Sequence, residues 1–74
     1  IVKKQNANVQ FTLHPLEDGY LVVAINNTAK DIAESFAFEN YQIETVYYGE
    51  VDKNTQKALL KGSDAVVFSI KAKP

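Results

Sequence analysis

Apolar and polar positions alternate with a period of two through much of this chain, the period of a strand with one buried and one wetted face. Between Asn8 and His14, Val9, Phe11 and Leu13 alternate with Gln10, Thr12 and His14, which predicts a half-buried strand. Pro15-Leu16-Glu17-Asp18-Gly19 follows. Proline presets φ and glycine accepts positive φ, so this segment predicts a turn closing an antiparallel hairpin. The next run, Tyr20 to Ile25, is apolar on both faces, and Asn26-Asn27-Thr28 stops it with side chains that bond their own backbone. A strand of that kind sits centrally in a sheet, with Leu21, Val23 and Ile25 on one face and Tyr20, Val22 and Ala24 on the other. Tyr41 to Tyr48 alternates again, Tyr41, Ile43, Thr45 and Tyr47 against Gln42, Glu44, Val46 and Tyr48, before Gly49-Glu50 punctuates it. The last strand, Ala65 to Ile70, places Val66, Phe68 and Ile70 inward.

Two segments read both ways. Over Thr28 to Phe38, Thr28 fits a helix N-cap, Asp31 an approximate capping box, and Ile32, Ala33, Phe36 and Ala37 fall on one helical face. As a strand, the same segment puts Ile32, Phe36 and Phe38 on one side, with Glu34 as an interruption. Asp52 to Lys61 divides likewise between a short helix closed by Gly62 and a strand ending in the Gly62-Ser63-Asp64 turn. The residues alone therefore leave open an α+β domain with one or two short helices on an antiparallel sheet.

Composition narrows the function classes. With 74 residues the chain is one domain: residues 1–7 read as a linker or weak first strand, 8–71 as the folded body and 72–74 as a tail. It starts at Ile1 and contains no Met, which suggests a domain cut from a larger protein. No Cys is present, so disulfides and thiolate metal sites are excluded. The net charge is −1, and all the basic side chains but His14 are lysines, so the residue best suited to bidentate phosphate or guanine contacts is missing and nucleic acid is not an expected partner. No apolar run approaches the roughly 20 residues of a membrane span, and no membrane partner is expected.

The ordered pattern "GYLVVAINNT", the alternating "IAESFAF", "YQIETVYYGE" and finally "KALLKGSDAVVFSIK" resembles the small carboxy-terminal β-sandwich that follows the catalytic barrel in many glycoside hydrolases, such as α-amylase-type enzymes and barrel-type β-galactosidases. The resemblance runs from about Val9 to Ile70. Gly62-Ser63 stands where that family often has a proline in the last turn. What the resemblance implies is an all-β fold, a small antiparallel β-sandwich of about six to eight strands. Its core would come from Val9, Phe11, Leu13, Leu21, Val23, Ile25, Ile32, Phe36, Phe38, Ile43, Tyr47, Leu60, Val66, Phe68 and Ile70. It also implies a non-catalytic accessory domain that stabilises the catalytic barrel of its own parent chain. The compartment, extracellular or cytoplasmic, would follow the parent enzyme.

Candidate chemistry is sparse. His14 is the single histidine and lies on the polar side of its strand, where a solvated role is expected. Glu17 with Asp18, and Glu50 with Asp52, sit in expected turns rather than across a cleft, as glycoside hydrolysis requires. Glu50, Asp52 and Asn54 lack the glycine and terminal Glu of an EF-hand loop, so no metal or other cofactor is called for. The binding potential lies in the tyrosines, because aromatic faces stack on sugar rings as readily as they pack in cores. Tyr20 and Tyr48, expected on outward faces, are the candidate contacts to carbohydrate or to the catalytic domain. The alternative to an accessory domain is a free-standing α+β interaction module, an inhibitor or adaptor, motivated by the helical cap at Thr28.

Overall fold

A computed structural model describes the backbone of Val2 and Lys3 and the whole of residues 8–73. Most of the expected linker over 1–7, and Pro74, lie outside the described residues. Nine strands and no helix are found there: β1 (Val2–Lys3), β2 (Val9–Leu16), β3 (Gly19–Asn26), β4 (Ile32–Ser35), β5 (Ala37–Phe38), β6 (Tyr41–Tyr48), β7 (Glu50–Asp52), β8 (Lys57–Leu60) and β9 (Ala65–Ala72). One layer is a four-stranded antiparallel sheet in the order β2-β3-β9-β6. Facing it are two smaller antiparallel ladders, β4-β8-β7 and β1-β5. This is the small β-sandwich expected, with the strand count slightly exceeded.

An aromatic cluster joins the layers. Phe36 and Phe38, from the irregular β4–β5 stretch, lie 5.3 and 5.9 Å from the Phe68 ring of β9, and Phe11 of β2 meets Phe36 edge-on at 5.3 Å. Val9, Val22, Ala24, Ile43, Ala58, Leu60, Val66 and Ile70 complete the buried core. Apolar area removed from water is the main stabilising term in a domain of this size.

The strand alternative prevails in both ambiguous segments. Ile32, Glu34, Phe36 and Phe38 do share the inward side, and the supposed capping signals are spent on a loop. Thr28 N–H and Oγ1–H donate to Asn26 Oδ1 at 2.9 and 2.7 Å, and Asp31 Oδ1 accepts from Gly62 N–H at 3.0 Å. Lys57–Leu60 pairs with both β4 and β7, which a helix cannot do.

Several expectations are corrected. In β3 the buried side chains are Val22, Ala24 and Asn26, while Leu21, Val23 and Ile25 face outward and are half-buried. Both phases of β3 are apolar, so its own pattern leaves the register undetermined. Its neighbours decide: Phe11 pairs with Ala24 and Leu13 with Val22, while Phe68 pairs with Val22 and Ile70 with Tyr20. By the same register Tyr20 faces inward. Tyr47, expected in the core, is 63% exposed. Register shifts between Ile43 and Thr45 and between Val46 and Tyr48 insert extra residues into β6, so that Ile43 and Val46 point in while Thr45 and Tyr48 point out. Finally, β9 runs on to Ala72, and Lys73 N–H donates to Asn40 O at 2.9 Å, so the ordered body extends into the expected tail. Glu50 and Asp52, placed in a turn by the sequence, belong to β7.

Candidate functional site

The hairpin joining β2 to β3 projects from the end of the large sheet remote from Asn26. Leu16 pairs with Gly19, leaving Glu17 and Asp18 as a two-residue loop, and neither has positive φ. Gly19 also has negative φ. It is needed for another reason: a Cβ there would collide with the Ile70 carbonyl of β9. That close approach draws β9 against the hairpin, and Ala72 N–H donates to Asp18 O at 3.1 Å.

Beside this corner, on the inward side, lies a solvent-open cleft of about 670 Å³ lined by residues 15–20, Tyr41, Gln42, Lys71 and Ala72. Tyr20 pairs with Ile70 across the sheet and Tyr41 with Ala72, which puts both phenols on the core face. Their rings meet edge to face, with centroids 5.7 Å apart at 65°. Both are half-buried and packed against the core. Gln42 and Lys71 pair with each other, so their side chains take the opposite face, where Lys71 Nζ meets a Glu44 carboxylate oxygen at 3.1 Å. The side chains that give the cleft its character are thus two tyrosines and, at the rim, the exposed carboxylates of Glu17 and Asp18.

Tyr48 belongs to the other end of β6, so the two tyrosines singled out in the sequence are not brought together. It is 54% exposed and pairs with Val67 on the outward face. Its hydroxyl bonds both oxygens of Asp64, at 3.1 and 3.3 Å, and that acceptor, reinforced by its negative charge, raises the Tyr48 pKa above the ordinary tyrosine value. Asp64 is held in turn by Ala65 N–H at 2.8 Å. Next to Tyr48 and Val67 on this face lie Val23, Ile25 and Leu21, an aliphatic stripe along the middle of the sheet flanked by Gln10, Thr12 and His14 of β2.

The remaining candidates separate. His14 is exposed on the outward face of the edge strand β2. Glu50 and Asp52 are exposed on β7, and Asp52 Oδ1 accepts from Asn54 N–H at 2.9 Å and Thr55 N–H at 3.3 Å. Those two bonds hold the Asp52 carboxyl below its ordinary value and tie it to its own turn. Among the described residues no group of three or more His, Asp or Glu side chains is placed to hold a metal ion, and no helix is long and apolar enough to cross a membrane. Glu34 is 1% exposed and has interaction partners.

Sequence reading missed Tyr41 as the partner of Tyr20. The available signal was its phase, since Tyr41 and the core residue Ile43 are two apart. It missed Asn26 as well, whose amide is fully buried and crosses between the layers, donating to Leu60 O and Lys61 O at 3.0 and 3.2 Å and to Lys30 O at 2.7 Å. Compared with known proteins, the chain matches no family model, no curated protein and no solved structure.

Proposed function

We propose that this chain is a non-catalytic accessory domain of a carbohydrate-active enzyme, packed against the catalytic barrel of the same polypeptide, as its resemblance to the carboxy-terminal sandwiches of glycoside hydrolases implies. The observation that carries this reading is the outward aliphatic stripe of Leu21, Val23, Ile25 and Val67, bordered by Tyr48. An antiparallel sheet with one face in water normally alternates apolar-in with polar-out, yet here the central strand β3 is aliphatic on both faces and Val67 of β9 adjoins its outward side. A contiguous apolar patch framed by polar residues is the mark of a surface that another protein body covers, and Tyr48 at its edge suits an interface rim, where an aromatic ring with a polar tip serves best. The adaptor alternative loses the helical cap that motivated it, because Thr28 caps no helix.

The test has two steps. Reading the gene upstream of Ile1 should show a barrel enzyme in the same frame. In that full-length protein, amide hydrogen exchange at Leu21, Val23, Ile25 and Val67 should be slower than in the isolated chain, and Val23→Lys should restore the faster exchange. A frame without a barrel, or unchanged exchange across the stripe, would rule the reading out.

A further inference from the structure

Resting on that reading and going beyond it, we infer that the cleft between Tyr20 and Tyr41, rimmed by Glu17 and Asp18, binds a pyranose ring of a neutral polysaccharide.

The cleft is amphipathic in the way such a ring is. A pyranose offers a face of C–H groups and an edge of hydroxyls. The two phenols, fixed edge to face at 5.7 Å and anchored by the core beneath them, supply an apolar wall that needs no rearrangement to receive the C–H face, which keeps the ordering cost of binding low. Glu17 and Asp18 are exposed acceptors on a two-residue loop, and an ionised carboxylate accepts short, charge-assisted bonds from a pair of neighbouring hydroxyls. The volume of about 670 Å³ lies within the range of small-molecule sites, and the open mouth lets a chain run past while one ring lodges.

The same features select against other ligands. Two carboxylates at the rim repel uronic acids, sulfated sugars and phosphates, and the ammonium of Lys71, whose strand lines the cleft, is paired with Glu44. An ammonium ligand would remain hydrated in so open a cleft, where a cation over an aromatic face gains little.

The experiment is a titration of the isotopically labelled chain with short neutral oligosaccharides built on glucose, galactose, mannose and xylose, with choline as the cationic probe, following the Tyr20 and Tyr41 ring signals. At least one oligosaccharide should shift both rings with saturation near about 1–10 mM, while choline leaves them in place. The exposed double variant Glu17→Gln with Asp18→Asn should keep the far-ultraviolet spectrum and weaken binding about tenfold. Absence of shifts with every sugar, shifts confined to Tyr48, equal affinity in the double variant, or a choline response matching the sugar's would overturn the inference. None of these outcomes bears on whether the stripe docks a barrel, which the exchange experiment decides separately.

Discussion

Asn26 shows how one side chain can link two layers. Its amide group faces three carbonyls on the loop after β3 and at the end of β8, while its oxygen accepts from Thr28. A buried donor facing carbonyls has no adequate substitute, so Asn26→Ala should destabilise the domain by about 2–4 kcal/mol, measured by urea unfolding. The sequence revealed Asn26 as the end of a strand, since Asn-Asn-Thr is a stop by local chemistry. Its reach to Leu60 and Lys61, 34 and 35 residues away, has no local signature. Tyr48 and Asp64 give a pH prediction at this scale. The folded-state pKa of Tyr48 lies above the unfolded one, so the stabilisation is fully present below the unfolded value and is lost as pH rises through the folded value. Ring-signal titration should place Tyr48 above the ordinary tyrosine value, and Asp64→Asn should bring it down.

At the level of the strand, β3 explains what could be read and what could not. Its existence, its central position and the hairpin to β2 follow from β-branched composition and turn chemistry. Its phase does not, because Leu21-Val22-Val23-Ala24-Ile25 is apolar whichever way it is rotated. The phase is set by aromatic partners in β2 and β9 that are remote in sequence. Val22→Thr should therefore cost about 1–3 kcal/mol by burying a hydroxyl, while Val23→Thr, one position along on the outer face, should change stability of the isolated chain by no more than about 0.5 kcal/mol. Thermal unfolding of the pair measures the register directly. In β6 the alternation was visible but misleading, since the two bulges that turn Tyr47 out and Val46 in leave no mark in a clean-looking period-two pattern. Gly19 belongs to this scale also. The sequence places it in a turn, where glycine accepts positive φ, but its role is to let two strands touch. Gly19→Ala should lower stability by roughly 2 kcal/mol or more through the clash with the Ile70 carbonyl, with the loss visible as faster exchange along the β3–β9 ladder.

For the molecule as a whole, the overall class was legible because the four long strands declare themselves, β2, β6 and β9 by period and β3 by its β-branched composition, and the two segments of ambiguous period form strands as well. The candidate cleft was half legible: Tyr20 was marked, but that it faces Tyr41 depends on pairings of both strands with β9. Such long-range pairing also governs kinetics. Gly19 pairs with Lys71 and Ile25 with Ala65, contacts that close most of the chain into loops, so refolding from urea should take milliseconds to seconds rather than microseconds, as stopped-flow fluorescence of the tyrosines can measure.

The strand order has a consequence for how the protein is made. Because β9 lies between β3 and β6, the large sheet lacks an interior strand until the last one leaves the ribosome. The roughly 50 residues from the start of β3 to the end of β9 take about 3–10 s to translate. Through that interval the nascent chain carries β3 with its apolar faces open and a hydrogen-bonding edge unfilled. An unpaired edge beside apolar faces is an aggregation hazard, so this interval is when the chain is most prone to wrong pairing, until the missing strand arrives.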